Sequence, residues 1–285
     1  MTDGPSLDAL LPLDMAHKAE TIGVKKAAID GLSMFALAVL AGAFIGMGAL
    51  FATTTWAGGG LPFGVSRLLG GVVFSLGLIL VVIAGAELFT GNNLIVMAWA
   101  AKQVSSKRLL RNWVIVYAGN FVGSIATAAL VVLSGQYQLG GGVVGAKALA
   151  IAEAKCQLDF VPALFLGVLC NALVCLAVWL SFSARSATDK VLVIVPPIAA
   201  FVAAGFEHCV ANMYFIPMGL FIKQFAPDVF WSAANTSPDA FPALTWAGLG
   251  RNLLPVTLGN ILGGSVLVGV VYWFIYLRPR KKADV

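Results

Sequence analysis

Two short stretches of this sequence place ionisable side chains inside long apolar runs. Residues 202–212 read VAAGFEHCVAN and carry Glu207 and His208, and residues 83–92 read IAGAELFTGN and carry Glu87. The two glutamates are 120 positions apart, and each is followed five positions later by an asparagine. Ionisable groups at membrane depth are costly and mark functional sites. Interrupted hydrophobic segments at matching places in two halves indicate a transport site.

The composition predicts an integral membrane protein. The 285 residues are 60% hydrophobic and 11% charged, with a mean hydropathy of +0.92, whereas a soluble domain carries roughly a quarter charged residues. The length allows about six helical spans of about 20 residues. The polar N-terminus has no compact apolar core, so we expect no signal peptide. We do not interpret the net charge of +5 as a nucleic-acid signal, because basic residues in membrane proteins mainly mark cytoplasmic loops.

Hydropathy divides the chain into a cytoplasmic N-terminal segment (1–28), a six-span transmembrane domain (29–278) and a basic cytoplasmic tail (279–285). The predicted spans are residues 32–54, 65–101, 113–133, 161–182, 191–222 and 253–276. The second and fifth exceed the length needed to cross once and contain the two polar stretches. We therefore predict that both are broken into half-helices. Residues 135–160 are expected to form a looser segment and residues 223–249 a polar loop.

Basic residues set the predicted orientation. With the N-terminus inside, thirteen Lys and Arg residues fall on the cytoplasmic side and five outside. Such a bias places both termini in the cytoplasm.

An internal repeat extends beyond the two polar stretches. YAGNFVGS around Asn120 resembles TLGNILGG around Asn260, so that the first three spans resemble the last three. Because three is odd, the two halves must have opposite topology. The fold class predicted from the sequence is an all-α membrane protein of six helices in an inverted 3+3 repeat.

The two intramembrane carboxylates leave two interpretations open. Glu87 and Glu207 could contact the permeant solute, or they could accept hydrogen bonds from unpaired backbone N–H groups at the half-helix starts. We favour the second, because a bare carboxylate in a pore would repel an anion.

His208 is the only histidine within a predicted span. It could donate a proton or a hydrogen bond to a passing anion, with Thr90 in the opposing stretch orienting its ring. Asn171 and Asn212 could line a polar path or satisfy backbone groups. Lys155, just outside the fourth span, could draw anions to the outer mouth or be an ordinary interfacial lysine.

The motifs ELFTGNN, GFEHCVANM and IPMG resemble those of the formate/nitrite transporter family of bacterial anion channels. This resemblance implies an aquaporin-like fold, broken second and fifth spans, and homopentamers in the inner membrane with one pore per protomer. It implies a central His208 facing Thr90, an outer-vestibule Lys155 and a pore Asn171. It also implies a cytoplasmic constriction of Leu78 with Phe201, and an outer constriction that includes Phe74 and Phe89.

Within the family, PFGVSRLLGGVVFSLGLIL and LLPVTLGNILGG resemble formate channels, whereas GAELFTGNN and LCNALVCLAVW fit the nitrite branch equally well. Glu87 and Gly91 depart from the Asp and Ser of many formate channels. We rank formate first and nitrite second, with protons as co-transported partners. Protonation of the anion at His208 would remove the cost of moving a bare charge through an apolar constriction.

Proteins of other classes are weaker alternatives. A neutral-solute pore lacks support because no paired Asn-Pro-Ala boxes occur, and a membrane haem subunit needs a second intramembrane histidine. No nucleophile–base pair suggests an enzyme. The four cysteines form no metal-binding spacing, so we expect buried thiols and no cofactor.

Overall fold

The computed structural model describes residues 8–279 and is all-helical, with no strand among them. The α-helices are α1 (Pro12–Ala28), α2 (Gly31–Trp56), α3 (Phe63–Phe74), α4 (Leu76–Ala84), α5 (Phe89–Asn92), α6 (Val96–Ala100), α7 (Ser106–Leu133), α8 (Val143–Cys156), α9 (Phe160–Ser183), α10 (Ala187–Ala204), α11 (Cys209–Phe225), α12 (Asp228–Ala233), α13 (Trp246–Ile261) and α14 (Val271–Tyr276). A π-helix, Leu262–Val270, joins α13 to α14, and short 3₁₀ turns complete the described chain. The C-terminal basic residues used for orientation, Arg280 to Lys282, lie outside the described range.

Within residues 8–279, six helical segments are long and apolar enough to cross a membrane. They are Gly31–Trp56, Phe63–Ala84, Ser106–Leu133, Phe160–Ser183, Ala187–Ala204 and Trp246–Tyr276. The first and fourth agree with the predicted spans within two residues. The second and fifth are shorter than predicted, because the chain leaves the helix at Gly85 (φ +83°) and Gly205 (φ +79°). Such left-handed conformations are accessible to glycine at little cost.

Two segments expected to be loose contain helices. Residues 143–156 form α8, whose sequence AKALAIAEAK is rich in strong helix formers. Glu153 of α8 is buried and accepts hydrogen bonds from the N–H groups of Ala243 and Leu244. These two hydrogen bonds hold the segment that precedes α13 against α8. The predicted polar loop 223–249 likewise contains the short helix α12.

Glycines allow the membrane helices to approach closely in both halves. Helix α2 packs along α7, and α9 packs along α13. A Cβ atom at Gly123 of α7 would overlap the carbonyl oxygen of Val39, and one at Gly259 of α13 would overlap that of Leu164. Small residues at helix crossings are the usual means of packing in membranes.

We expect Gly123→Ala to destabilise the purified protein by about 1–3 kcal/mol, because the added methyl group forces α2 and α7 apart. Gly250→Ala is the control, since Gly250 is an exposed helical glycine with open space around its Cβ position. That change should be neutral or stabilising by up to about 1 kcal/mol. Unfolding of both variants in the same detergent measures the difference, and equal stability would contradict the close crossing.

Helix α1 lies against the membrane helices on one side of the molecule. Met15, Ala16 and Ala19 are buried in a cluster with Trp179 and Phe182 of α9. The last turn of α1 approaches α7, where the side chain of Asn112 donates to the carbonyl of Lys26 (3.2 Å). Lys26 of α1 is thereby placed beside Glu87, which follows Gly85 in the chain.

Candidate functional site

The helix that starts after Gly85 is held by an asparagine from another span. The N–H of Phe89 donates to Oδ1 of Asn120 (2.9 Å), and Nδ2 of Asn120 donates to the carbonyls of Glu87 (2.9 Å) and Ala38 (2.7 Å). Asn120 is fully buried. One amide therefore satisfies three backbone groups that have no water to bond to at this depth.

The helix that starts after Gly205 is held in the same way. The N–H of Cys209 donates to Oδ1 of Asn260 (2.9 Å), and Nδ2 of Asn260 donates to the carbonyls of Glu207 (2.9 Å) and Gly167 (2.8 Å). The sequence interpretation that we favoured, in which the glutamates accept these backbone N–H groups, is therefore wrong. The acceptors are asparagines, because their amides can bond both N–H and C=O groups without burying a charge.

Glu207 instead forms an ion pair. Its Oε1 lies 2.7 Å from Nζ of Lys155, and its Oε2 accepts from Nδ2 of Asn212 (2.6 Å). The Asn212 amide also donates to Oδ1 of Asn252 (2.7 Å), and the Asn252 amide donates to the Lys155 carbonyl (2.9 Å). Lys155, from α8, is thus part of the site and not an isolated interfacial lysine.

Glu87 forms the matching ion pair in the first half. Its Oε1 lies 2.6 Å from Nζ of Lys26, and its Oε2 accepts from Nδ2 of Asn92 (2.6 Å). The Asn92 amide also donates to Oδ1 of Asn112 (3.0 Å). Lys26 also donates to Oδ1 of Asn92 (3.1 Å), whereas Lys155 lies over the ring of Phe215, 5.4 Å from its centroid.

Lys26, Asn112 and Asn252 are site residues that sequence reasoning missed. Lys26 was used only as a cytoplasmic charge, because it lies in the polar N-terminal segment. A signal for the asparagines was present, since Asn112 and Asn252 are 140 positions apart, as are Asn120 and Asn260.

Both buried carboxylates are neutralised where they lie. Glu87 and Glu207 are each 5% exposed. Transferring a single charge from water to this environment is expensive unless it is paired and hydrogen-bonded. Each carboxylate has a lysine and an asparagine partner, so neither presents an uncompensated negative charge to an anion. Because a lysine neutralises each glutamate, these carboxylates do not repel an anion as bare carboxylates would.

His208 lies at the centre, between the two stretches. Its Nε2 is 2.9 Å from Oγ1 of Thr90, and its Nδ1 accepts from the N–H of Ala211 (3.0 Å). Because Nδ1 is an acceptor, the hydrogen-bond network assigns the proton of the neutral ring to Nε2. A second proton on Nδ1 would require this backbone bond to break. The imidazole is thus arranged as a donor through Nε2–H.

Two cavities lie near the residues of the His208–Thr90 contact. The first, called here the Lys155 cavity, has a volume of about 260 Å³ and is lined by Lys155, Glu207 and His208. The second, called the Lys26 cavity, has a volume of about 330 Å³ and is lined by Lys26 and by Gly91, the residue after Thr90. Each cavity therefore contains one of the lysine–glutamate pairs and ends beside the central contact.

The four apolar residues expected at constrictions lie in three places in the structure. The rings of Phe74 and Phe201 meet edge to face, with centroids 5.7 Å apart, and both line the Lys155 cavity. Leu78 lines the Lys26 cavity. The ring of Phe89 packs against Tyr117, with centroids 5.0 Å apart.

Asn171 has a bonding role between the two halves. Its Nδ2 donates to the carbonyl of Asn260 (2.7 Å), to Oδ1 of Asn93 (3.0 Å) and to the carbonyl of Thr90 (3.3 Å). The residue is fully buried and is absent from the lining of both cavities. Asn212, by contrast, lines the Lys155 cavity. All four cysteines are buried and free, as expected.

Six apolar helices of membrane-spanning length among residues 8–279, with two lysine-lined cavities near a histidine–threonine contact, indicate a multi-pass membrane transport protein. The comparisons with known proteins give the same class. The model of the family described as "Formate/nitrite transporter" matches residues 13–274, and the chain belongs to this family.

Several relatives and solved structures are similar over nearly the whole chain. The formate channel FocA of Escherichia coli K12 is 48% identical, covering 98% of both chains. A probable formate transporter of Methanothermobacter thermautotrophicus is 37% identical, covering 94% of this chain and 97% of the relative. A structure described as a pentameric formate channel with formate bound is 48% identical, with a TM-score of 0.83, covering 87% of this chain and 98% of that one.

Proposed function

We propose that this protein is a membrane channel for formate, with nitrite as the second candidate substrate. The observation that carries the proposal is the contact between His208 and Thr90 beside two cavities, each of which contains a lysine paired with a buried glutamate. Relatives named as formate channels support formate as the substrate. The relatives are channels or transporters, and this agrees with a non-enzymatic role.

In the mechanism that follows, a lysine first attracts the anion into a cavity. Hydrogen bonds from the protein then replace the water molecules that surround the anion. Lys155 or Lys26 attracts the anion into its cavity, where the paired glutamate keeps the net charge small enough for release. Moving the anion past Phe74 and Phe201 removes its hydration shell, which is costly without new hydrogen bonds. At the centre, Nε2–H of His208 turns from Thr90 to the carboxylate and supplies a bond to a charged group, worth about 1.5–3 kcal/mol.

Proton transfer from His208 to the anion is the rival mechanism at the same residues. It requires an imidazolium, and hence a proton on Nδ1, where the Ala211 N–H now donates. The measured charge movement per formate separates the two mechanisms, because a proton that crosses with each anion makes transport electroneutral.

The arrangement of the site supports an inverted repeat. The two stretches have matching ion pairs and matching asparagine contacts. Tyr117 and Thr257, which are 140 positions apart in the sequence, contact each other (3.0 Å) as equivalent residues near a pseudo-twofold axis would. We infer that the breaks after Gly85 and Gly205 lie near the middle of the membrane.

We further propose that the chain forms homopentamers in the bacterial inner membrane with both termini in the cytoplasm. The pentameric description of the similar structure supports the assembly. The bias of basic residues supports the orientation. In this orientation the Lys26 cavity, beside helix α1, opens to the cytoplasm and the Lys155 cavity opens to the outside.

Solute-induced swelling of proteoliposomes in potassium salts, with valinomycin present so that K⁺ follows the anion, tests the substrate. We expect formate to enter at least tenfold faster than it enters protein-free vesicles, nitrite to enter more slowly than formate, and glycerol to enter at the protein-free rate. Nitrite entering faster than formate would move the chain to the nitrite branch. Glycerol entering as fast as formate would identify a neutral-solute pore instead.

A further inference from the structure

The Lys26 cavity has more positive charge than a single monovalent anion requires. Three lysines line it, namely Lys18, Lys26 and Lys190, against one carboxylate, Glu87, which gives a net formal charge of +2. The carboxylate of Glu87 already forms an ion pair with Lys26 and accepts a hydrogen bond from Asn92. The other two ammonium groups therefore lack a carboxylate in this cavity.

Lys18 and Lys190 belong to different helices and face the same space. Nζ of Lys18 donates to the carbonyl of Phe182 (2.8 Å), which leaves two of its three protons for other acceptors. Burial and the nearby charges of Lys190 and Arg185 lower the pKa of Lys18. Neither Lys18 nor Lys190 forms an ion pair within residues 8–279. The two cations repel each other, and an anion placed between them would relieve this repulsion.

The Lys155 cavity provides the contrast. It is smaller, about 260 Å³ against about 330 Å³, and its two cations, Lys155 and Arg67, stand against Glu207, for a net formal charge of +1. Arg67, like Lys18, donates to backbone carbonyls, those of Val202 and Ala203. By the same criterion, the Lys155 cavity has one cation without a carboxylate partner among residues 8–279, and the Lys26 cavity has two.

We propose that the Lys26 cavity binds a small divalent oxyanion of the inorganic phosphate class between Lys18 and Lys190, and that this anion blocks transport from its side. A dianion matches the two unpaired ammonium groups. It cannot follow formate to His208, because the cost of dehydrating an ion rises with the square of its charge while the donors at the centre stay the same. The proposal rests on the proposed function and adds regulation to it.

The test uses the full chain in vesicles of zwitterionic lipid, with the orientation of the protein determined by protease accessibility. Formate efflux is measured with inorganic phosphate on the α1 side, on the opposite side, or replaced by methanesulfonate at equal ionic strength. We expect block by phosphate on the α1 side only. Lys190→Gln and Lys18→Gln should each raise the half-blocking phosphate concentration about tenfold, the loss of one charged hydrogen bond. The flux of each variant is expressed relative to the flux of the same variant without phosphate.

Lys25→Gln is the matched control, because Lys25 is an exposed lysine of α1 that does not line the cavity. It should leave the block unchanged. Titration of phosphate into purified protein in detergent gives binding independently of transport, with the same order of affinities. Formate flux that phosphate on the α1 side does not reduce would overturn this inference and leave the channel assignment intact. The absence of formate flux would instead refute the proposed function. Formate efflux without added phosphate is also measured in vesicles containing anionic lipid. Low efflux in those vesicles, with no block by free phosphate in zwitterionic lipid, would overturn the inference, because a lipid phosphate would then occupy the site.

Discussion

His208→Asn should lower formate flux by about 10- to 100-fold while leaving the protein folded. His208 is the N-cap of α11, and its Nδ1 accepts the N–H of Ala211. Asparagine is among the best N-cap residues, and its Oδ1 can take over this bond. It lacks the Nε2–H that reaches Thr90, so an anion at the centre loses a donor worth about 1.5–3 kcal/mol, or about one to two powers of ten in rate.

Two further variants define the origin of that loss. His208→Phe removes both bonds and should reduce both flux and stability. Thr90→Val keeps the size of the side chain and the donor on His208, so flux should fall less than in His208→Asn. Stability is measured by thermal unfolding of the same samples. If His208→Asn conducts formate at the normal rate, His208 serves only to cap α11.

Lys155→Met should destabilise the protein by about 3–5 kcal/mol. The substitution leaves Glu207, which is 5% exposed, without its cation at 2.7 Å, and breaking a buried pair from one side leaves an uncompensated charge. Lys147→Met on the same helix is the control, because Lys147 forms no ion pair among the described residues. That change should alter stability by no more than about 0.5 kcal/mol.

The double variant Lys155→Met/Glu207→Gln separates stability from transport. Glutamine can still accept from Asn212 without burying a charge, so stability should return to within about 1 kcal/mol of the parent protein. Formate flux should stay about tenfold low, because no ammonium group remains beside the dehydrating anion. A double variant that recovers both stability and full flux would show that Lys155 acts only as the partner of Glu207.

Much of the fold could be predicted from the sequence because a membrane restricts the options. Long apolar segments identified six spans, and the excess length of the second and fifth, with a polar stretch in each, indicated that both are interrupted. The structure adds that the helices end at Gly85 and Gly205, since glycine readily adopts positive φ. The equivalence of Glu87 and Glu207 could be predicted from their spacing alone. The lysine partners of these glutamates could not be predicted, because they belong to helices distant in the sequence.

The residues that sequence reasoning missed share a physical cause. Lys26 and Lys155 precede their glutamates by different intervals, 61 and 52 positions, so a fixed offset could not pair them. Assignment of the backbone N–H groups to the glutamates assumed the nearest acceptors along the chain. Asn120 and Asn260 reach those groups across helix crossings, where Gly123 and Gly259 allow close approach.

The central claim is that formate crosses as an anion past a neutral, hydrogen-bond-donating His208. Current through a planar bilayer containing the purified protein tests it most directly, with a tenfold formate gradient, equal pH on both sides and impermeant counter-ions. The account predicts a reversal potential close to that of formate, about 59 mV for the tenfold gradient, and a loss of current in His208→Asn. Formate flux in vesicles of the same preparation without any current would contradict it, because the charge would then be neutralised by a proton during passage.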